Sequence, residues 1–370
     1  MDSRFLNLFN TFLLMKKHNF SAGPAILPRS VIEQTSKAVL NFNNTGLSIM
    51  EMSHRGKDLV EVLDSAMQNC KDLLGLDDRF EVLFLTGGAS SQFYMSAMNL
   101  LDQNGKISLI DTGTWSSKAY KEIKKFGPCE VIASSKDKNY NYIPKNISIP
   151  SDTSYLHMTS NNTIFGTQFH QLPETDAPII SDMSSDIFSR PIDVDRYGLI
   201  YCGAQKNMGP AGATLVIIRK DLIGKVERDL PTMLSYQTHV DKKSAYNTWP
   251  VLPIYVSMLT MQWVKDNGGT SAMNKRNQEK AQLLYHELDN NPLFKGVVEK
   301  EDRSLMNITF QLNDDSLSDA FLKVAAEAGC SGLKGHRSVG GFRASTYNAL
   351  EKESVQVLVD IMKDFAQKHG

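Results

Sequence analysis

Apolar positions along the chain follow two spacings. From residue 57 to 74 they are Leu59, Val62, Leu63, Ala66, Met67, Cys70, Leu73 and Leu74. Gaps of three and four predict a helix with one buried face. Gly75 follows where a helix end takes a left-handed residue. Elsewhere the apolar runs are short and continuous, as in strands covered on both faces. These are "FEVLFLT" (80–86), "KISLID" (106–111), "EVIASS" (130–135), "SYLHMTS" (154–160), "PIISDMSS" (178–185), Leu199–Cys202 and Thr214–Ile218. Helical spacing returns at 92–101, 118–127 and 253–266. Strands alternating with helices predict a mostly parallel sheet with helices on both faces. In such sheets ligands bind outside the carboxyl ends of the strands.

Segment 221–250 reads as irregular, with Pro231 and Pro250. From about 271 the pattern changes to a long polar-apolar helix (271–289), a strand (305–312), a helix (316–328), an extended stretch (338–346) and a final helix (350–367). This predicts a smaller α+β unit after the α/β part.

Composition narrows the classes. The chain has 370 residues, 41% apolar and 22% charged, with a net charge of −1. That is ordinary for a globular protein, and no global field favours nucleic acid or an anionic membrane. Cys70, Cys129, Cys202 and Cys330 form no CxxC pair; they read as small buried residues in a reducing cytoplasm, with no metal site. The apolar start "RFLNLFNTFLLM" is broken by Asn7 and Asn10, is too short to span a membrane, and is followed by Met15-Lys16-Lys17-His18. It reads as an extension upstream of a start at Met15; the alternative is a weak export signal.

Three features carry candidate chemistry. Gly87-Gly88-Ala89-Ser90-Ser91 joins a strand to a helix. Its small side chains let a phosphate approach the helix N-terminus, although taken alone it reads equally as a plain turn. Asp182 ends an apolar strand and reads as a turn or N-cap residue or as a carboxylate facing a ligand cation. Lys206 sits in "YCGAQKNMGPAG" (201–212), among small residues after a buried strand. Most turn lysines are solvated. A lysine enclosed by small residues can exclude water, lose pKa and act as a nucleophile or Schiff-base partner. Together the three features make up a pyridoxal phosphate (PLP) site.

Dispersed motifs sharpen this. "NFSAGPAILP" (19–28), "SHRGKD" (53–58), "GGASSQF" (87–93), "TGTWSSKA" (112–119), "NNTIFGTQF" (161–169), "SDMSSDI" (181–187), "GAQKNMGPAG" (203–212), "YNTWP" (246–250) and "GHRSVGGFRAS" (335–345) span the chain from about residue 18. With them the sequence resembles the class V, fold-type I PLP-dependent aminotransferase family, in the branch that makes phosphoserine. The resemblance implies a fold-type I PLP-transferase fold, with a mostly parallel seven-stranded sheet. It implies a segment 15–30 packing on the small domain, a large cofactor domain (31–268) and a small C-terminal domain (269–370). It implies a cytoplasmic homodimer in serine biosynthesis, with L-glutamate and 3-phosphohydroxypyruvate as substrates; use of 4-phosphohydroxythreonine for vitamin B6 stays open.

The resemblance also implies residue roles. Lys206 is the Schiff-base lysine, and Asp182 faces the pyridine nitrogen. Trp115 stacks on the ring, and Thr163 lies near the ring oxygen. Ala89, Ser90 and Gln205 contact the phosphate, and Asn247 and Thr248 reach the cofactor of the other subunit. His54, Arg55, His336, Arg337 and Arg343 bind substrate anions, for which guanidinium forks suit carboxylate and phosphate oxygens. Ala22 stands where some relatives have serine, which leaves a backbone contact or none. His157, His170 and His239 read as structural or surface residues. Two alternatives stay open: another class V enzyme, such as a small-substrate aminotransferase or a desulfurase using Cys330, and a non-catalytic protein on the same fold.

Overall fold

The computed structural model describes residues 16–370; the expectation for residues 1–14 lies outside the described residues. The first elements are β1 (His18–Asn19), α1 (Arg29–Leu40) and α2 (Lys57–Leu74). Gly75 closes α2 at φ 66°. There follow β2 (Phe80–Leu85), α3 (Gly88–Leu100), β3 (Lys106–Asp111), α4 (Thr114–Ile123), β4 (Cys129–Ser134), β5 (Thr153–Thr159), β6 (Ile179–Asp182), β7 (Tyr197–Gly203) and β8 (Thr214–Arg219). After these come α5 (Tyr236–Asp241), α6 (Val251–Asp266), α7 (Gly269–Asn290), β9 (Phe294–Gly296), β10 (Asn307–Leu312), α8 (Ser318–Glu327), β11 (Cys330–Ser331), β12 (Phe342–Ser345) and α9 (Lys352–His369).

Seven strands form one sheet in the order β2-β8-β7-β6-β5-β3-β4. Only β8 runs against its neighbours; the other four pairings are parallel. The strands are apolar on both faces because both are covered. Leu156, Met158, Ile200, Cys202, Leu215 and Ile217 face one core, built with α2 and α6. Tyr155, Ile180, Leu199, Tyr201, Val216 and Ile218 face the other, built with α3 and α4. Each fully buried aliphatic side chain adds roughly 1.5–3 kcal/mol.

A second core lies in the C-terminal third. The antiparallel sheet β12-β10-β9 packs with α7, α8 and α9 around Phe294, Phe310, Phe321, Phe342 and Phe365. Phe20 joins this core, and β1 pairs with β11.

Three expectations shift. Helices α3 and α4 each begin four residues before the expected 92 and 118, because their first turns, "GASS" and "TWSS", carry little apolar signal. Helix α5 interrupts the segment expected to be irregular. Helix α1 buries only Val31 and Ala38, too few for a periodic signal. Among the described residues no helix is long and apolar enough to cross a membrane.

Candidate active site

Parallel strands deliver their following loops to one edge of the sheet, and the candidate residues gather there. β6 and β7 are parallel neighbours, with Asp182 in register with Tyr201. Asp182 is therefore the last residue of its strand, and Lys206 lies three residues past the end of the next. A cavity of about 430 Å³ opens between them, lined by Lys206, Asp182, Trp115, Thr163, Gln205 and Arg343 among others.

The Lys206 loop closes on itself: Ala204 N–H donates to Ala213 O at 3.0 Å, and Gly209 N–H to Ala204 O at 2.7 Å. Small residues are required here. A Cβ on Gly209 would lie 2.4 Å from Ser257 Oγ, and one on Gly23 would press on Lys206 Cγ at 3.2 Å. Lys206 Nζ donates to Thr163 Oγ1 at 2.9 Å and sits 5.3 Å from the Trp115 ring centroid. Burial pulls its pKa down, Arg343 adds to this, and Asp182 opposes it.

Asp182 is 6% exposed. Its Oδ1 accepts from Ser184 N–H at 2.9 Å and from Ser184 Oγ–H at 2.6 Å. Gly203 N–H, at the end of β7, steadies Ser184 Oγ at 3.1 Å. Among the described residues no donor reaches Oδ2. Burial raises the Asp182 pKa, and Lys206 and the Ser184 bonds oppose the rise.

The strand–turn–helix at Gly87 forms the third wall. Gly87 takes φ 92° and a Cβ there would overlap Ser91 Oγ, so only glycine fits. Gly88 N–H is used by Thr214 Oγ1 at 2.8 Å. The next N–H groups, of Ala89 and Ser90, belong to the first turn of α3, whose donors have no partner within the helix. They and the positive end of the helix dipole suit a phosphate.

Trp115 is set by the buried Asp111. Asp111 Oδ1 accepts from Ser116 and Ser117, both at 2.8 Å, and Oδ2 from Tyr140 at 3.0 Å. Across the cavity, Arg343 on β12 donates to Thr163 O at 3.1 Å, while its Nε is buried without a partner. Burial lowers the Arg343 pKa; burial also lowers that of His336, with Arg343, Arg337 and Lys118 adding to it. Basic side chains therefore crowd a cavity whose lining holds one carboxylate.

The structure brings together Lys206, Asp182, Ala89, Ser90, Trp115, Thr163, Gln205, His336 and Arg343. It leaves His54, Arg55, Arg337, Asn247 and Thr248 off the cavity wall; Arg55, Arg337 and Thr248 are exposed. Ala22 is on the wall, and its carbonyl accepts from Tyr347 OH at 2.8 Å. Sequence reasoning did not single out Ser184, Phe93 or Gly23, which also line the cavity. Ser184 had a signal: a serine two residues after an aspartate is an Asx-turn pattern. Of the cysteines, Cys70, Cys202 and Cys330 are buried and Cys129 half-buried. Burial pushes the Cys330 thiol up to about 11, which removes the thiolate that a desulfurase needs.

The donor set fits PLP on this structure's own terms. An amine of lowered pKa suits an aldehyde, and unpartnered Asp182 Oδ2 suits a protonated ring nitrogen. The Trp115 ring offers a stacking face, and the N-terminus of α3 suits a phosphate.

The family described as Aminotransferase class-V matches residues 17–358. Phosphoserine aminotransferase of Flavobacterium psychrophilum is 57% identical over 355 residues, covering 96% of this chain and all of that protein. The solved phosphoserine aminotransferase of Bacillus circulans subsp. alkalophilus superposes with a TM-score of 0.93 at 45% identity, over 96% of this chain and 99% of that one. The PLP-bound phosphoserine aminotransferase of Trichomonas vaginalis superposes with a TM-score of 0.89 at 36% identity, over 94% of this chain and all of that one.

Proposed function

The chain belongs to the class-V aminotransferase family, and we propose that it moves the amino group of L-glutamate to 3-phosphohydroxypyruvate, giving O-phospho-L-serine and 2-oxoglutarate. The observation that carries this reading is the donor set of the cavity: Arg343 and His336 line it together with Lys206, and Asp182 is the one carboxylate in the lining. Both substrates bring two anionic groups, and a guanidinium takes a carboxylate or phosphate in a fork.

PLP, when bound, supplies the aldehyde that carries the amino group and the ring that accepts the electron pair released at the substrate Cα. The residues do the rest. Lys206 would hold the cofactor, and its Nζ would take the Cα proton of glutamate and return one to the product Cα in the second half-reaction. The direction of the Lys206 shift supports this, because a lowered pKa makes the amine a readier base. Asp182 Oδ2 would keep the ring nitrogen protonated. Trp115 would stack on the ring, and Thr163 would bond its oxygen. Ala89, Ser90 and Gln205 would bind the phosphate. Arg343 would take the α-carboxylate, and His336 and Arg337, with His54 and Arg55, the distal anion.

We further assign the protein as a cytoplasmic homodimer in which Asn247 and Thr248 reach the partner's cofactor phosphate. In support, both lie outside their own cavity, and Asn247 lines a neighbouring pocket with Gly87. Residues 31–268 and 269–370 would be the two domains, with 15–30 on the smaller.

The test is a stopped-flow absorbance scan of the PLP-loaded protein with glutamate alone, then with 3-phosphohydroxypyruvate. Two successive changes that return the starting spectrum are expected. Conversion by alanine or cysteine but not by glutamate would overturn the substrate assignment.

A further inference from the structure

Lys280, on α7, is 0% exposed. A lysine this deep is almost always paired with an acid, yet among the described residues no carboxylate lies within ion-pair distance. Its partners are three main-chain carbonyls: Thr346 O at 2.9 Å, Tyr347 O at 2.7 Å and Leu350 O at 3.1 Å. An ammonium has three N–H donors, and each finds one acceptor. Burial and the neighbouring Arg276 pull the Lys280 pKa down; three carbonyl dipoles oppose them.

The carbonyls belong to the turn between β12, which carries Arg343, and α9. That turn and the end of β12 bond to the N-terminal segment at the cavity and to the residue after Lys206. Ser345 N–H donates to Phe20 O at 3.1 Å. Tyr347 OH donates to Ala22 O at 2.8 Å and accepts from Asn307 Nδ2 at 3.2 Å. Asn348 N–H donates to Oδ1 of Asn207, the residue after Lys206, at 3.0 Å, and Asn348 Nδ2 to Phe188 O at 2.9 Å. Asn277, one turn before Lys280 on the same helix, donates to Asn348 Oδ1 at 2.8 Å.

We propose that Lys280 is a positioning residue for the cavity: it fixes the 346–350 turn, which sets the Ala22–Gly23 wall through Tyr347 and the Lys206 loop through Asn348. The role concerns the site as read above, and its kinetic readout rests on that reading; its other readouts do not.

The test compares the PLP-loaded wild type with Lys280→Met, which keeps the length of the side chain and removes its donors. Tyr347→Phe, which removes the hydroxyl and with it the bonds to Ala22 and Asn307, and the double variant complete a cycle. Lys280→Met is expected to raise the glutamate KM and the dissociation constant for PLP, read from visible absorbance, by about tenfold, with a smaller change in kcat. Amide exchange at Asn348 should quicken. Tyr347→Phe should produce part of the effect, and the double variant should bind no worse than Lys280→Met alone, as for two residues on one route. A lowered thermal midpoint with unchanged KM, cofactor affinity and Asn348 exchange would overturn the proposal, as would multiplying effects in the double variant. Where Lys280→Met does not fold, Lys280→Gln, which keeps two N–H donors, enters the same cycle. A wild type that binds PLP but ignores glutamate would sink the function above, while cofactor affinity and amide exchange would still decide the role of Lys280.

Discussion

Two lysines in this molecule have pKa values pulled down by burial, and they differ in what surrounds the nitrogen. Lys206 has one hydrogen-bond partner, Thr163, and faces a cavity. Lys280 has three carbonyl partners and is fully buried. Desolvation makes both amines easier to deprotonate, but only at Lys206 is there room for another atom at Nζ. Burial by itself does not make a nucleophile. Burial with unsaturated donors and an open approach does, whereas a buried lysine nitrogen surrounded by acceptors becomes a clamp.

The strongest way to break this contrast is Lys206→Ala. It should abolish the absorbance of covalently held cofactor and lower kcat by about 10³-fold or more, measured in single turnovers with glutamate. Retained absorbance would return Lys206 to the class of ordinary buried amines. Asp182→Asn comes next. It keeps the Ser184 contacts in shape but removes the charge that opposes the drop in the Lys206 pKa and would face the ring nitrogen of bound PLP. A loss of about 10²-fold in kcat is expected, comparable to removing one preorganised electrostatic group. Wild-type turnover would leave Asp182 a turn residue. Arg343→Ala removes a charge-assisted bond worth roughly 1.5–3 kcal/mol. Glutamate and the keto acid should each bind about 10- to 100-fold more weakly, with kcat changed little; unaltered half-reactions would break the anion assignment.

The sequence made Lys206 legible and hid Lys280, for a physical reason. Lys206 breaks a pattern, as a charge among Gly203, Ala204, Gly209 and Gly212 between two apolar strands. Lys280 sits in "NKRNQEKAQLL", where a lysine matches the solvated face of a long polar-apolar helix. Its burial comes from a turn some seventy residues later that no local pattern reports. The sheet was legible because strands covered on both faces are continuous apolar runs. The starts of α3 and α4 were not, because their first turns, "GASS" and "TWSS", carry little periodic apolar signal. Trp115 could be named as a candidate, but the Asp111–Ser116–Ser117–Tyr140 network that orients it joins residues from separate segments. Asn247, Thr248, His54, Arg55 and Arg337 matched motifs, yet the fold of one chain leaves them off its own cavity wall.

A third buried base extends the comparison and gives the smallest predicted effect. His157 on β5 is 0% exposed. One ring nitrogen pairs with Tyr201 OH at 2.9 Å, the other has no partner, and burial pushes its pKa down to about 3. Lys280 gathers three acceptors, whereas His157 has one partner and gives its proton up. Between pH 6.5 and about 3 the unfolded chain therefore binds a proton here that the folded chain does not. Stability then falls as pH falls through that window, by about 1.4 kcal/mol per unit, and this residue adds no pH dependence above it. His157→Gln retains a polar group on β5 and removes the titration. Urea unfolding at a series of pH values from 6 to 4 should give a shallower acid limb, by about that slope. An unchanged slope would mean that the imidazole keeps its proton in the folded state. Burial beside a single hydroxyl would then hold a charge, and the three acceptors around Lys280 would no longer explain why that lysine differs from Lys206.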